Sequence, residues 1–291
     1  RVVIVCGAGI STSAGIPDFR TPGTGLYAQL AAKGMEDPIN VFSLDYFFQN
    51  PDPLWAVSRE IMPRPASEGG FNPTPSHIFM RLLHESGKLL RVYTQNIDGL
   101  ERLAGVPAAA LVECHGTFSS ASCARCRAPY DGDIHMVILA GDTYPVCHQC
   151  GSQVKPDVVL FGEPLPDRFY DCVGEDFEGP RAPDLVIVMG TSLEVAPVAD
   201  ILNWVPTTTP RVLLNRELAG SFARRSGPRA QGGAELYETR LGPMRLGGRP
   251  RQGGEGRARE ASLVARWAND AVLLGDCDAL VQRLAEPLGW G

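Results

Sequence analysis

The sequence has no apolar run approaching the roughly 20 residues that a membrane-spanning helix needs; runs such as Leu185-Val186-Ile187-Val188-Met189 stop far short. No membrane partner is expected. Net positive charge is also missing: 27 Lys and Arg stand against 33 Asp and Glu, a net −6, which argues against a globally basic nucleic-acid binder. No internal repeat is evident, and there is no initiating Met. The chain opens on Arg1 and a strand-like run starts at Val2, so the native N-terminus is expected to have been trimmed, with any targeting signal. The 8 Cys lack the spacing of a disulfide framework: Cys6, Cys114, Cys172 and Cys277 are scattered, and the other four form two Cys-x-x-Cys pairs. That pattern fits a reducing compartment and a metal site.

At 291 residues and 44% hydrophobic, the chain suits one large domain carrying a smaller module. Charge is unevenly placed. Residues 220–260 hold nine Arg, four Glu and ten Gly with almost no periodic hydrophobicity, so a disordered insertion is expected within an acidic body. Only this segment offers a basic surface to nucleic acid or an acidic partner, and flexible Arg-rich segments more often serve only solubility.

Val2-Val3-Ile4-Val5, followed by Gly7-Ala8-Gly9 and the candidate N-cap Ser11, reads as a buried parallel strand, a tight turn and a helix. Similar runs at Leu89 to Tyr93, Val158 to Phe161, Leu185 to Met189 and Val212 to Leu214 end at polar or glycine-bearing turns. An α/β fold with a parallel sheet is predicted, its polar strand tips converging where such sheets bind ligands. Between the first two strands, Phe42, Leu44, Phe47, Phe48, Leu54 and Trp55 predict helices packed as a lobe. The sheet domain is expected to resume near Leu263. Leu273 to Asp278 and the apolar Leu280, Val281, Leu284 and Leu288 then predict a last strand, a turn and an amphipathic helix.

Cys123-x-x-Cys126 and Cys147-x-x-Cys150, twenty residues apart, can offer four thiolates tetrahedrally to one zinc ion. Four such ligands leave no open position, so the metal is expected to fold its module rather than act on substrate; His148, inside the second knuckle, reads as a surface residue. Gly7-Ala8-Gly9-Ile10-Ser11 lets phosphate approach backbone amides. It lacks the full dinucleotide pattern, however, and serves equally as a structural turn. Gly15-Ile16-Pro17-Asp18-Phe19-Arg20-Thr21-Pro22 reads as a loop braced by prolines. Thr94-Gln95-Asn96-Ile97-Asp98-Gly99 offers groups that can read a carboxamide, or a helix cap at Asn96 or Asp98. His115, before Gly116, is a candidate base and, taken alone, equally a structural histidine.

Taken together, and in this order, these motifs with Lys155-Pro156-Asp157, Phe161-Gly162-Glu163 and Gly190-Thr191-Ser192-Leu193 resemble the sirtuin family, over Arg1 to about Ala219 and again from about Leu263. The resemblance implies a Rossmann-like NAD-binding domain (1–25, 72–117, 155–219 and 261–291). A helical module (26–71) and a zinc-binding module (118–154) would form a smaller lobe, with cofactor and acyl-lysine meeting in the cleft between. By the same resemblance, Gly7, Ala8, Gly9 and Ser11 hold the diphosphate, and Asp18, Phe19 and Arg20 belong to the cofactor loop. Asn96, Ile97 and Asp98 form the nicotinamide pocket, with Gln95 near the ribose. Gly190, Thr191 and Ser192 line the phosphate and ribose region, Asn215 and Arg216 approach the adenosine ribose, and Cys277 lies by the adenine. Val159, Phe161, Gly162, Glu163, Glu194 and Val195 clamp the acyl-lysine peptide, largely through main-chain pairing.

The implied activity is NAD-dependent protein-lysine deacetylation, with Asn96 and His115 catalytic and His115 the general base on a ribose hydroxyl. Nicotinamide and O-acyl-ADP-ribose would be released. Tyr27 is followed by Ala28, Gln29 and Leu30, without the arginine that a dicarboxylic acyl group needs as partner, so acetyl or a longer apolar acyl is favoured. Mono-ADP-ribosyl transfer by the same NAD residues is the rival reaction. A non-catalytic sensor would be expected to have lost His115, Asn96 or Asp98. Acetylated proteins such as histones or tubulin are the expected substrates, in cytoplasm or nucleus, with mitochondria left open by the missing N-terminus.

Overall fold

The computed structural model describes residues 1–62, 70–141, 144–178, 182–223 and 269–290. Most of the predicted insertion and the resumption near Leu263 therefore lie outside the described residues. The strands are β1 (Val2–Cys6), β2 (Leu89–Thr94), β3 (Leu111–Glu113), β4 (Gly116–Cys123), β5 (Val154–Val158), β6 (Leu185–Met189), β7 (Arg211–Asn215) and β8 (Asp270–Leu274). The helices are α1 (Leu26–Ala32), α2 (Leu44–Gln49), α3 (Asp52–Ile61), α4 (Pro75–Glu85), α5 (Leu100–Ala104), α6 (Ile134–Ala140), α7 (Asp167–Phe177), α8 (Gly220–Ala223) and α9 (Cys277–Ala285).

Six strands pair in parallel in the order β3-β2-β1-β6-β7-β8. Every residue of β1 is buried, as expected of a strand covered on both faces. Val3 and Val5 meet Phe169, Val173 and Phe177 of α7 on one side. Val2, Ile4 and Cys6 meet Phe79, Met80 and Leu83 of α4 and Leu280 and Val281 of α9 on the other. The period of two along β1 thus builds a three-layer sandwich. Each fully buried large apolar side chain contributes roughly 1.5–3 kcal/mol. Chain order reverses between β1 and β6, the point where open sheets of this kind bind ligands.

A second apolar core joins Leu26, Phe47, Trp55 and Ile61 of the predicted helical lobe to Phe118, Ile134, Ile138 and Val154 of the cysteine-bearing segment. Two predictions are corrected here. The Val158 to Phe161 run is not a strand of the parallel sheet; the strand is Val154–Val158, and it pairs antiparallel with β4. Its Val158, with Leu160 beyond it, enters the second core, because the partner strand leaves from the zinc-binding segment. The glycine turn after β1 leads into two single 3₁₀ turns, Ala8–Ile10 and Thr12–Ala14, not an α-helix. Ser11 therefore caps nothing with its side chain, which bonds Asp98 instead.

Candidate active site and metal centre

The turns after β1 and β6 touch. A Cβ on Gly9 would stand 2.8 Å from Gly190 Cα and 2.9 Å from its carbonyl oxygen, so this approach requires glycine. Gly9 N–H donates to Gly190 O and Gly7 N–H to Met189 O. These two glycines are thus committed to joining the strand tips, and Ala8 between them lines the cavity above.

Above this junction lies a cavity of about 850 Å³. Its walls include Gly7, Ala8, Gly9, Asp18, Phe19, Arg20, Gln95, Asn96, Ile97, His115, Gly190, Thr191, Ser192, Asn215, Arg216 and Cys277. Val159, Phe161, Gly162, Glu163, Glu194 and Val195 line it as well. Of the residues to which the resemblance gave a cofactor, catalytic or substrate role, Ser11 and Asp98 alone do not line it; Ser11 Oγ donates to Asp98 Oδ2 at 2.7 Å. Asp98 also accepts the Leu100 N–H at 3.0 Å, bonding the first residue of α5 from one place before its N-cap, Gly99.

His115 sits between β3 and β4, where the chain leaves the main sheet. Gly116 has φ +82 and a Cβ there would overlap the Asp157 carbonyl, so the histidine is held at a tight β4–β5 approach. Its Nδ1 lies 2.9 Å from Gln95 O. A carbonyl only accepts, so Nδ1 carries the ring proton and Nε2 keeps the lone pair. Burial lowers the His115 pKa, opposed by the Gln95 hydrogen bond and assisted by the positive charge of Arg20. The ring is therefore a neutral base at neutral pH.

The loop after Gly15 lines the cavity from Asp18 to Pro22. Asp18 accepts the N–H groups of Arg20 and Thr21 at 3.1 and 2.7 Å and bonds the Thr21 hydroxyl, while Phe19 packs on Tyr27 and Phe42. Arg20 reaches Glu194 at 3.4 Å, with both side chains substantially exposed, so this contact contributes at most about 1 kcal/mol. Gln95 Nε2 donates to Thr191 Oγ1 at 2.8 Å, and Asn215 Nδ2 to Thr191 O at 3.2 Å. Arg216 pairs with Asp276 at 3.0 Å. Burial pushes the Cys277 thiol up to about 11, so it offers a neutral, apolar surface.

On the opposite wall, Phe161 N–H donates to Phe42 O and its carbonyl accepts from Leu44 N–H. The main chain of Phe161 is thus already paired, and Gly162 after it lies in a turn at φ +99. The Glu163 carboxylate turns inward to Lys155 Nζ at 2.9 Å. Phe42, Thr12 and Tyr170 also line the cavity. No motif announced Phe42 or Tyr170, whereas Thr12 stood in the glycine motif at the place where a dinucleotide fingerprint has glycine.

Apart from this cavity, the four cysteines converge: Cys123 and Cys150 sulfurs are 3.5 Å apart and those of Cys126 and Cys147 3.6 Å. These are far beyond an S–S bond and near the roughly 3.8 Å between ligands of a tetrahedral zinc. Backbone N–H groups of Arg125 and Cys126 point at Cys123 Sγ, and that of Gln149 at Cys147 Sγ, which stabilises thiolates. The set fits one structural zinc. His148 is exposed.

The model of the Sir2 family matches residues 7–197. The chain belongs to that family. It is 45% identical over 246 residues to the NAD-dependent protein deacetylase sirtuin-3 of Mus musculus, covering 84% of this chain and 70% of that one. It is 40% identical to sirtuin-2 of Danio rerio, a protein of the same description, over 100% of this chain and 68% of that one. The NAD-dependent protein deacetylase hst2 of Schizosaccharomyces pombe is 37% identical, over 100% of this chain and 72% of its own. The sirtuin resemblance read from the motifs is thus borne out.

Proposed function

We propose that this Sir2-family protein is an NAD-dependent protein-lysine deacetylase, releasing nicotinamide, free lysine and O-acyl-ADP-ribose. The observation that carries the reading is His115: a cavity-lining ring whose Nδ1–H is tied to Gln95 O and whose basic Nε2 is left for substrate. When bound, NAD supplies an electrophilic ribose carbon by giving up nicotinamide. The donor set fits that cofactor. Ala8 N–H and the junction of Gly9 with Gly190 suit a diphosphate at the crossover. Asn96 donates its amide N–H to Gly7 O and Ser11 Oγ, so its amide oxygen remains to take a carboxamide N–H. His115 Nε2 takes the proton of a ribose hydroxyl. Val159, Gly162, Glu194 and Val195 form the walls between which an extended acyl-lysine peptide is held. The apolar Phe42, Ile97, Val158 and Phe161 suit an acetyl or longer apolar acyl chain, and exclude water from the reacting atoms.

Acetylated proteins such as histones or tubulin, in cytoplasm or nucleus, are the proposed substrates. The deacetylase names of the relatives favour deacylation over mono-ADP-ribosyl transfer. The test is mass spectrometry of an acetyl-lysine peptide incubated with NAD and the protein. O-acetyl-ADP-ribose and unmodified peptide are expected from the wild type and neither from a folded His115→Ala variant. ADP-ribosylated peptide, or full turnover by that variant, refutes the reading.

A further inference from the structure

The proposed function takes nicotinamide to the tip of β2 and the diphosphate to the junction of β1 with β6. The second nucleoside of the cofactor has to run the other way, over the tips of β6, β7 and β8. Its ribose then stands at a corner where Asn215, Arg216 and Cys277 line the cavity. Gly275 N–H donates to Asn215 O at 2.9 Å, so the turns after β7 and β8 are joined there. In dinucleotide-binding sheets a carboxylate at this place reads the ribose 2′-hydroxyl, and an arginine accommodates a 2′-phosphate. β7 runs out into Asn215, Arg216 and Glu217, one basic and one acidic residue side by side, so the tip's own sequence makes no choice.

Room for a further phosphate is present. A second cavity, of about 290 Å³, adjoins the first and shares Thr12, Asp18, Thr21 and Arg216 with it. The Asp18 carboxylate is taken up by the N–H groups of Arg20 and Thr21 and by the Thr21 hydroxyl. Arg216 is the one cation among the described residues that line this annex.

That cation is engaged from the neighbouring strand. Arg216 Nη2 donates to Asp276 Oδ2 at 3.0 Å, and Asp276 Oδ1 accepts the Asp278 N–H at 3.1 Å as the N-cap of α9. A carboxylate fixed by its helix stays in place, so it keeps hold of Arg216 and sets a negative charge where a phosphate needs a positive one. Both side chains of the pair are well exposed, so it adds little to stability; its consequence is for selectivity. We propose that Asp276 is a positioning residue which, by holding Arg216, restricts the cofactor to a dinucleotide with a free 2′-hydroxyl. Charge, and not want of space, turns the 2′-phosphate away. This rests on the proposed NAD-dependent function.

The test is isothermal titration calorimetry of the full chain, zinc supplied, with NAD and with its 2′-phosphorylated form NADP, which reads binding without turnover. Asp276→Asn removes the charge and keeps a good cap, and its single amide oxygen cannot serve both the cap and Arg216. The variant is expected to lower the ratio of NAD to NADP affinity about tenfold, the scale of one hydrogen bond gained by a charged group. The change should shrink as salt is raised and vanish when Arg216→Met is added, because the phosphate then has no cation. Asp276→Ser, which also caps, decides the matter if Asp276→Asn does not fold. An unmoved ratio in a folded variant overturns the proposal. So does a shift that survives the loss of Arg216, or one given by Glu217→Gln and not by Asp276→Asn. A wild type that binds NADP as tightly as NAD overturns it too. A wild type that does not bind NAD sinks the functional reading itself, whereas one that binds NAD while the variants leave the ratio unmoved sinks only the selectivity role.

Discussion

Replacing Lys155 by Met should destabilise the protein and loosen the peptide wall at once. Lys155 and Glu163 side chains are only 7% and 4% exposed, with Nζ 2.9 Å from Oε2. Lys155 Nζ also donates to Val158 O at 2.7 Å and Pro156 O at 3.2 Å, and Glu163 Oε2 accepts the Leu160 N–H at 2.9 Å. The pair thus closes the Leu160–Glu163 turn that carries Phe161 and Gly162 into the cavity. Removing Lys155 leaves a buried carboxylate with one N–H and the Arg127 guanidinium at 3.8 Å, an exposed partner. Breaking one side of a buried pair costs about 3–5 kcal/mol, and the surviving partners place this case near the lower end, at about 3 kcal/mol. Glu163→Gln in the Lys155→Met background keeps the acceptor for Leu160 and removes the stranded charge, so the double variant should regain about 2 kcal/mol of that loss. Urea unfolding with zinc supplied measures both, and steady-state kinetics should show KM for acetyl-peptide raised with KM for NAD little changed. A single variant within about 1 kcal/mol of wild type, or a double variant no better than the single one, refutes the reasoning.

Two further outcomes follow from the site. Because burial lowers the His115 pKa from 6.5, the base form persists below that pH, and the acidic limb of kcat/KM should lie under 6.5. Arg20→Ala should move the limb upward, since that charge helps depress the ring; a wild-type limb at or above the ordinary value contradicts the burial argument. Cys123→Ala should abolish binding of one zinc equivalent and lower the melting transition, because β4, α6 and the helical lobe share one core beside the cysteines. An unchanged transition in metal-free protein shows that zinc does not fold the lobe.

What could be read from the sequence, and what could not, divides along the reach of each interaction. β1 and β6 were legible because a strand buried on both faces is apolar throughout, β2 and β7 because shorter apolar runs end at the polar Thr94 and Asn215, and Cys123, Cys126, Cys147 and Cys150 because local spacing already brings ligands in pairs. Val154–Val158 was misjudged because its partner is β4, a choice made by tertiary pairing and not by the segment's own composition. The same holds within the site. Glu163 looked like a group for substrate, yet its carboxylate faces a lysine eight residues earlier in the chain. Ser11 had the composition of a cap and instead became the link between Asp98 and Asn96. His77 is the clearest case: at the third position of α4 it satisfies a capping box with one nitrogen, a purely local role. Only the packing of α4 against β2 and α5 brings its ring to Asp98 and Glu101. The local motif accounts for one ring nitrogen and leaves the buried Nε2 without a partner among the described residues, a position set by tertiary packing that no local pattern announces.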